Sequence, residues 1–257
     1  MKPVVIAIVT HNSKDIFRTL DQFATFLPDP RYQIVVYDNH SEPDYLARLR
    51  HYSFIQLIES QENLGFGHGH NEVFLASEAE IGIICNPDIC VTEQTLTALV
   101  HLLQADATLA AVSPKVLNED GTTQYLVRQR LTVFDYFLRF IPFQSLKDKF
   151  SKRLAEYECR DLAENTYSRI RMGSGCFMVI DIAKFKKVNG FDERFFMYFE
   201  DNDLCLRFEQ AGYGILYTPF DTVTHFYGKG AHRSPKLFFV FLQSMRKFFH
   251  KWGWEFF

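Results

Sequence analysis

Two short acidic stretches contain the side chains whose types and spacing could do chemistry. The first runs from Asn86 to Asp88 behind an apolar segment, and the second runs from Glu200 to Asp203 behind the aromatic segment 195–199. A carboxylate oxygen is the ligand that Mg²⁺ and Mn²⁺ prefer. A carboxylate at the end of an apolar wall has a raised pKa and can act as a general base. We therefore interpret Asp88 as a metal ligand and Asp201 as a proton acceptor.

Each stretch also has a purely structural interpretation. Asn-Pro-Asp is typical of a β-turn with an Asx cap, and the tripeptide alone favours that interpretation. Carboxylates at a helix N-terminus are favoured electrostatically whatever their function. Within the second stretch, the apolar approach selects Asp201 as the base, makes Glu200 its orienting neighbour and leaves Asp203 as a helix cap.

The composition narrows the class of protein. The chain has 257 residues, enough for one substantial α/β domain, and a formal net charge of -3, which argues against a nucleic-acid partner. Its five cysteines form no Cys-x-x-Cys pair, as expected in a reducing compartment. There is no apolar stretch of about 18 residues and no leader-like start, so we expect a cytoplasmic protein.

Apolar segments of strand length alternate with amphipathic helical segments in the first half of the chain. Strands are predicted at 3–10, 32–37, 54–58 and 81–85, and helices at 16–27, 45–50, 72–78 and from Thr92 onward. This alternation predicts an α/β fold with an open, mostly parallel sheet flanked by helices. In such sheets ligands bind beyond the carboxyl ends of the strands.

Polar or glycine-rich groups follow four of these strands, and together they predict a nucleotide-type site. They are Thr10 to Asn12, Asp38 with Asn39, the loop from Asn63 to Asn71, and Asp88. We interpret the glycine-rich loop as a backbone cradle for phosphate or sugar, which is weak evidence by itself. His68 and His70 within it look like a ligand pair but have no third ligand nearby in sequence.

The second half is less regular. Residues 118–171 combine an aromatic part with a basic part and are interpreted as an inserted, mobile segment. Order returns at 172, and His225 follows a short extended piece, where it could complete a metal shell or be an ordinary core histidine. Residues 233–257 mix apolar, aromatic and basic side chains as an interfacial helix does. A core helix or a dimer contact fits this last pattern equally well.

The motifs taken together resemble, in order and spacing, the inverting family 2 glycosyltransferases, with the bacterial rhamnosyltransferases of O-antigen and cell-wall polysaccharide assembly as the nearest likeness. The resemblance covers about residues 3 to 230. It is carried by Val9-Thr10-His11-Asn12-Ser13, Tyr37-Asp38-Asn39-His40-Ser41, Glu62-Asn63-Leu64-Gly65-Phe66-Gly67, Asn86-Pro87-Asp88, Gly173-Ser174-Gly175 and the segment from Gly190 to Arg207.

This resemblance implies a GT-A fold, a nucleotide-sugar donor and a divalent metal, Mg²⁺ or Mn²⁺. Asn86 stands where the family's Asp-x-Asp has its first Asp, which bears on how tightly the metal is bound. The implied roles are base and ribose binding for Thr10, Asn12 and Asp38; the nucleotide-sugar pocket for Asn63, Gly65, Phe66 and Asn86; metal binding for Asp88 and His225; catalysis for Asp201 and Glu200; and the acceptor side for Gly173, Ser174 and Gly175.

The implied organisation is a GT-A domain over 1–232 with an appended amphipathic segment over 233–257. The domain divides into a nucleotide-sugar half (1–117), an acceptor-side insertion (118–171) and a catalytic half (172–232). The expected activity is transfer of L-rhamnose from dTDP-rhamnose to a polyprenyl-diphosphate-linked glycan at the inner face of the cell membrane, with the oligomeric state left open. Alternatives are a UDP-sugar donor (galactosyl-, glucosyl- or galactofuranosyltransfer) and a non-catalytic nucleotide- or glycan-binding module.

Overall fold

The computed structural model describes residues 3–26, 29–226 and 234–257, which form one nine-stranded sheet with helices on both faces. The strands are β1 Val4–Thr10, β2 Tyr32–Asp38, β3 Ile55–Glu59, β4 Ile81–Cys85, β5 Ile89–Cys90, β6 Leu109–Leu117, β7 Ser168–Ile170, β8 Phe177–Asp181 and β9 Gly214–His225. The helices are α1 Ile16–Phe23, α2 Pro43–Leu49, α3 Phe66–Ala76, α4 Glu93–Ala105, α5 Val133–Phe140, α6 Gln144–Lys149, α7 Ser151–Tyr157, α8 Ile182–Lys187, α9 Glu200–Gln210 and α10 Pro235–Trp252.

The strand order is β3-β2-β1-β4-β8-β6-β9-β5, with β7 paired to β9. The α/β class and the flanking helices are confirmed, but the sheet is mixed, with four parallel and four antiparallel pairings in the part of the chain described. The reversal starts at β8, whose first residue Phe177 pairs with Cys85 at the end of β4. Because β8 starts beside the end of β4, it runs back from the carboxyl edge and leaves residues 173–176 at that edge.

Alternating side chains of β1 enter two cores. Ile6 and Ile8 face α1, α2 and α4 on one side of the sheet. Val5, Ala7 and Val9 face α3, α8, α9 and α10 on the other side. Each core is built from side chains that leave a strand on opposite faces, as the period of two requires. The sheet is therefore covered on both faces, which explains the almost unbroken apolar sequence of its central strands.

The segment 118–171 is more regular than its sequence indicates. It contains α5, α6, α7 and β7, and Thr132 caps α5 by accepting a hydrogen bond from the backbone N–H of Asp135 (3.1 Å). Aromatic contacts hold it together, since the ring of Tyr136 lies 5.9 Å from that of Tyr157. The strand β6 just before it was missed by the sequence interpretation, although six of its nine residues in succession are buried.

Two boundaries differ from expectation. The helix predicted from residue 72 begins six residues earlier, at Phe66, so most of the glycine-rich loop is helical. A Cβ on Gly67 would lie 2.9 Å from the Cβ of Phe191, and one on Gly69 would lie 2.8 Å from the Tyr37 ring. These glycines permit close helix packing rather than loop flexibility. The first helix, predicted to continue to residue 27, ends at Phe23. The predicted domain boundary at 232–233 lies outside the described residues.

The C-terminal helix α10 is part of the core. Phe241, Phe248 and Phe249 are buried against the face that contains α9, and the Ser244 hydroxyl donates to the carbonyl oxygen of Met197 (2.7 Å). The core-helix alternative therefore describes one face of α10. Among the described residues, no helix is both long enough and apolar enough to cross a membrane.

Candidate active site

The carboxyl ends of β1 and β2 place Thr10 and Asp38 side by side in register. Asp38 is fully buried, and its Oδ2 accepts a hydrogen bond from the backbone N–H of Ser41 (2.8 Å). Its Oδ1 is buried with no hydrogen-bond partner among the described residues. A buried carboxylate oxygen without a donor is costly. Asp38 is therefore well placed to accept a hydrogen bond from a ligand, while the Thr10 hydroxyl is already hydrogen-bonded to Tyr45.

Asn12 joins the loops that follow these two strands. Its Oδ1 accepts from the backbone N–H of Glu42 (2.9 Å), and its own N–H donates to the Ser41 hydroxyl (2.8 Å). Its backbone is in the left-handed region, with φ 53°, where Asn is tolerated better than most residues. Asn12 therefore holds the loops after β1 and β2 together. Its contact with a nucleotide stays a prediction.

The start of α3 is fixed from two sides. The Asn39 amide donates to the carbonyl of Gly65 (2.9 Å), and the backbone N–H of Phe66 donates to the carbonyl of Phe196 (3.0 Å). Gly65 has φ 99°, and a Cβ there would lie 2.3 Å from the Phe196 oxygen. Only glycine fits this position. The side chain of Asn63 accepts from the Gly65 N–H (3.2 Å), so the three predicted pocket residues form one turn.

The two histidines of this region do not form a ligand pair. His70 is fully buried, its Nδ1 lies 3.0 Å from the Phe66 carbonyl oxygen, and burial lowers its pKa to about 4. The Nδ1 of His68 instead contacts a carboxylate oxygen of Glu193 (3.0 Å). His70 is a neutral core residue, and His68 binds α3 to the segment before α9.

Asp88 and His225 meet at the end of β4. The Oδ1 of Asp88 lies 3.2 Å from the Nε2 of His225, yet no hydrogen bond to it is formed within the described residues. The pairing of β5 with β9 sets this contact, because Ile89 is in register with His225. The amide nitrogen of Asn86 lies 3.4 Å from the same Nε2. Asn86 therefore faces the histidine.

Gln124 orients the His225 ring. Its Nε2 donates to the His225 carbonyl (2.8 Å), which places its Oε1 3.0 Å from the His225 Nδ1. An acceptor there keeps the proton on Nδ1, so the Nε2 lone pair is directed toward Asp88. Sequence reasoning missed Gln124, since nothing in its own neighbourhood connects it to a histidine 101 residues away.

A divalent cation fits this pair. Two ligands about 2.1 Å from one ion and at right angles are about 3 Å apart, which matches the Asp88–His225 separation of 3.2 Å. The described residues contain no group of three or more His, Cys, Asp or Glu side chains that could hold a metal. The protein would thus offer two ligands, and an ion such as Mg²⁺ would take its remaining ligands from substrate phosphates and water.

Asp201 lies in the first turn of α9, as predicted. Its Oδ2 accepts from the backbone N–H of Gly175 (2.9 Å), and its Oδ1 accepts from that of Asn202 (2.7 Å). Burial raises the pKa of Asp201, while these two N–H groups act in the opposite direction. The side chain is only partly buried, so it combines a raised pKa with access to a second substrate.

Glu200 is more deeply buried than its neighbour. One of its carboxylate oxygens has no hydrogen-bond partner among the described residues. Burial, and then the charge of Asp201, raise its pKa well above the ordinary range. The two preceding residues, Tyr198 and Phe199, both have φ 69°, an unusual conformation for aromatic residues. Such backbone strain is found at functional sites.

Asp203 is not the predicted cap. Its side chain is fully buried and binds Arg207 (2.8 Å), the Lys251 ammonium (2.6 Å) and the indole N–H of Trp252 (2.9 Å). Two of these partners belong to α10, so Asp203 ties the C-terminal helix to α9. The cap prediction failed because the two α10 partners lie almost 50 residues further along the chain.

The segment from Ser174 to Cys176 brings the two acidic stretches together. The N–H of Gly175 binds Asp201, and the carbonyl of Cys176 accepts from the backbone N–H of Asn86 (2.8 Å). Burial raises the pKa of the Cys176 thiol, and the charges of Asp88 and Asp201 also raise it, by less than burial does. The Asp88–His225 pair and the Asp201 carboxylate therefore flank one short turn at the carboxyl edge of the sheet.

The predicted acceptor-side residues support this turn by different means. Gly173 is buried, and a Cβ there would lie 3.1 Å from the Met178 methyl group. A Cβ on Gly175 would lie 3.1 Å from the Cβ of Asp201, so the glycine allows the base to approach the backbone. The Ser174 hydroxyl accepts from the Cys176 N–H (3.2 Å). Their direct contact with an acceptor remains a prediction.

Comparison with solved structures identifies the class of protein to which this arrangement belongs. GalNAc-T7, solved with UDP, GalNAc and Mn²⁺, superposes with a TM-score of 0.63 at 16% identity, over 88% of this chain and 43% of that chain. The mannosyltransferase PcManGT of Pyrobaculum calidifontis, solved with GDP-Man and Mn²⁺, gives a TM-score of 0.62 at 19% identity, over 89% and 58%. The fold is therefore that of the GT-A glycosyltransferases.

Sequence models narrow the class to a family. The model described as "Glycosyl transferase family 2" matches residues 5–187, and one described as "N-terminal domain of galactosyltransferase" matches residues 163–233. Since the first match covers more than half of the chain, this protein belongs to glycosyl transferase family 2 and is a glycosyltransferase.

Two curated relatives are rhamnosyltransferases. The chain is 29% identical over 248 residues to rhamnosyltransferase WbbL of Escherichia coli K12, a match that covers 92% of this chain and 86% of the relative. It is 24% identical over 209 residues to N-acetylglucosaminyl-diphospho-decaprenol L-rhamnosyltransferase of Mycobacterium tuberculosis, covering 74% of this chain and 64% of the relative.

Proposed function

We propose that this glycosyltransferase moves L-rhamnose from dTDP-rhamnose to a glycan carried on a polyprenyl diphosphate, with inversion at the transferred carbon. The observation that carries the proposal is the turn 174–176, which sets the Asp88–His225 pair and the Asp201 carboxylate on its two sides. This arrangement separates a site for a leaving diphosphate from a site for an attacking hydroxyl. One displacement across the turn inverts the sugar.

The donor binds along the carboxyl ends of β1, β2 and β4. Asp38 accepts a hydrogen bond from the nucleoside through its unpartnered Oδ1, with Thr10 and Asn12 holding the adjoining loops. The nucleotide-sugar pocket is completed by Asn63, Gly65, Phe66 and Asn86. Asp88 and His225 would hold Mg²⁺ or Mn²⁺, and a metal bound there would neutralise the charge of the departing diphosphate.

Asp201 is the base in this mechanism. It removes the proton from the acceptor hydroxyl, and the oxygen attacks C1 of the sugar on the face opposite the nucleotide. The proton stays on Asp201 Oδ, and the electron pair of the broken C–O bond leaves with the nucleotide diphosphate. Glu200 is the orienting neighbour of this group. Burial and then the charge of Asp201 raise the pKa of Glu200, which favours its neutral form beside the ionised base. The residues from Gly173 to Gly175 line the side of the site where the acceptor binds.

The choice of substrates is supported by the relatives. Both curated relatives named above transfer rhamnose, and the name of the second specifies a diphospho-decaprenol acceptor. A lipid-linked acceptor places the reaction at the inner face of the cell membrane. The match of residues 163–233 to a galactosyltransferase model favours UDP-galactose as the second candidate donor.

A panel of dTDP-, UDP- and GDP-sugars tests the proposal. The purified chain is incubated with each donor and Mn²⁺, and nucleotide release is measured without acceptor. The proposal predicts that dTDP-rhamnose is hydrolysed with the highest kcat/KM. Preference for UDP-galactose would replace the donor assignment, and hydrolysis of none of these donors would contradict the proposed function.

A further inference from the structure

Exposed aromatic side chains are concentrated on one surface of the molecule. We call it the aromatic-basic surface and define it as residues 130–153 with 234–257. Of the eleven large apolar side chains exposed in the described part of the chain, six lie in these two segments. They are Phe137, Phe143, Phe239, Trp254, Phe256 and Phe257, each between 46% and 66% exposed. Large exposed apolar patches mark interaction sites.

Contacts between rings show that the two segments form one surface centred on α5. The ring of Phe140 lies 5.3 Å from that of Phe238, at the start of α10. Near the start of α5, the ring of Phe134 lies 5.0 Å from that of Phe257. The chain end also pairs with α5 through its backbone, since the Phe134 N–H donates to the carbonyl of Phe256 (3.1 Å).

The surface is strongly cationic although the protein is not. Its two segments contain ten Lys and Arg against three Asp and Glu, a net charge of +7, whereas the whole chain has a net charge of -3. The remaining residues therefore carry -10. Exposed cations, including Lys149, Lys152, Lys236 and Arg246, belong to the same two segments as the aromatic side chains. Such separation of charge favours an anionic partner over a second copy of the same cationic surface.

The aromatic-basic surface is separated from the start of α9 by one layer of packed aromatic side chains. The ring of Phe199, the residue just before Glu200, lies 5.0 Å from that of Tyr136 on α5 and 5.3 Å from that of Phe241 on α10. A partner bound to this surface is thus held close to the acceptor side of Asp201.

We propose that the aromatic-basic surface docks the enzyme on a bilayer that contains anionic phospholipid. Aromatic side chains placed among Lys and Arg are what an interfacial membrane contact requires, because the rings enter the headgroup region while the cations bind lipid charge. The buried face of α10 stays in the core, so only its exposed face takes part. This inference rests on the proposed function in one respect: the proposed lipid-linked acceptor lies in the bilayer to which the surface binds.

Vesicle binding of the full chain tests the proposal. Sedimentation with phosphatidylglycerol-containing vesicles is compared with phosphatidylcholine vesicles and repeated at raised salt. The two tryptophans are Trp252 and Trp254, both in the surface, so quenching of their emission by brominated lipid reports contact directly. We expect binding to the anionic vesicles, weakened by salt and by loss of the anionic lipid.

Two sets of variants, each with a control, assign the binding to this surface. Phe143→Ser/Phe239→Ser/Phe256→Ser removes aromatic rings, and Lys149→Glu/Lys236→Glu reverses charge; each should weaken binding by about tenfold or more. Phe220→Ser and Arg50→Glu/Lys186→Glu change exposed residues elsewhere and should bind like the parent. Deletion of α10 is not used, because it would remove buried core residues.

The outcomes separate docking from the proposed reaction. Equal vesicle binding by all variants would overturn the proposal, as would light scattering showing a dimer that the aromatic variant dissociates without any change in vesicle binding. The surface variants should retain donor hydrolysis, since the altered residues lie outside the donor site. A parent chain that binds vesicles but hydrolyses no donor would contradict the proposed function and leave the docking surface standing.

Discussion

At the scale of single residues, burial gives neighbouring carboxylates different tasks. Asp201 receives two backbone N–H groups and is partly exposed, whereas Glu200 is buried with one oxygen unpartnered. Burial raises the pKa of both. The more accessible carboxylate is suited to take a proton from a substrate, and the buried one is favoured in its neutral form beside it.

The buried Glu200 should make stability depend on pH. Its folded pKa lies above its unfolded pKa, so the native state binds more protons between these two values and the free energy of unfolding falls as pH rises through that interval. Glu200→Gln should therefore stabilise the protein near pH 7, by about 1.4 kcal/mol for each unit between the two pKa values. Urea unfolding at several pH values measures this.

The advantage of Glu200→Gln should disappear below the ordinary pKa of a glutamate, where both states are protonated. Glu78→Gln, at an exposed position, serves as the matched control and should show no such trend. A Glu200→Gln variant that is less stable than the parent near pH 7 would contradict the account.

The metal pair yields a second prediction at this scale. His225→Ala removes a ligand, and Gln124→Leu leaves the ligand but frees its ring, so both should weaken Mn²⁺ binding in the presence of dTDP, the second by about 10- to 100-fold. Calorimetric titration of Mn²⁺ checks this without reference to turnover. The exposed His101→Ala is the control, and equal affinity in Gln124→Leu would show that Gln124 does not orient the ring.

At the scale of elements, α3 and the segment before α9 form one unit. The buried amide of Asn71 accepts from the N–H of Phe191 (2.8 Å) and donates to its carbonyl (2.9 Å) and to Glu193 (2.8 Å). Together with the Gly65–Phe196 contact, this connects the donor-side helix to the residues that lead to Asp201. The helix beside the proposed donor site and the segment before the proposed base are therefore held in contact.

Exchange of one amide for one carboxylate tests this link. Asn71→Asp should set two carboxylates against each other at the Glu193 contact and lower kcat for donor hydrolysis by about tenfold or more, given that one unpaired buried charge costs several kcal/mol. Adding Glu193→Gln restores a donor to this contact and should recover part of the loss. If the double variant is as impaired as Asn71→Asp, the contact does not act in this way.

At the scale of the whole molecule, the local hydrophobic pattern predicted the strands and helices of the first half. The strand order and helix packing of the second half depend on contacts between residues far apart in the sequence. The βα alternation predicted β1 to β4, and Thr92 caps α4 as expected by accepting from the Thr95 N–H (3.1 Å). The antiparallel entry of β8 and the burial of α10 depend on partners far along the chain, which no periodicity records. Asp201 could be selected from sequence because the apolar segment just before it is local. Gln124, Asn71 and the partners of Asp203 could not, because their contacts join residues far apart in the sequence.

The proposed reaction depends on the division between a donor site at Asp88 and a base at Asp201. Asp201→Asn keeps an oxygen that can accept from the Gly175 N–H but cannot take a proton at neutral pH. Asp161→Asn, at an exposed position, is the control. The most direct measurement is transfer from the preferred donor, set beside the affinity for its nucleotide with Mn²⁺. We expect Asp201→Asn to lose about 10²- to 10⁴-fold in transfer rate with nucleotide affinity almost unchanged. Transfer at the parental rate would show that Asp201 is not the base.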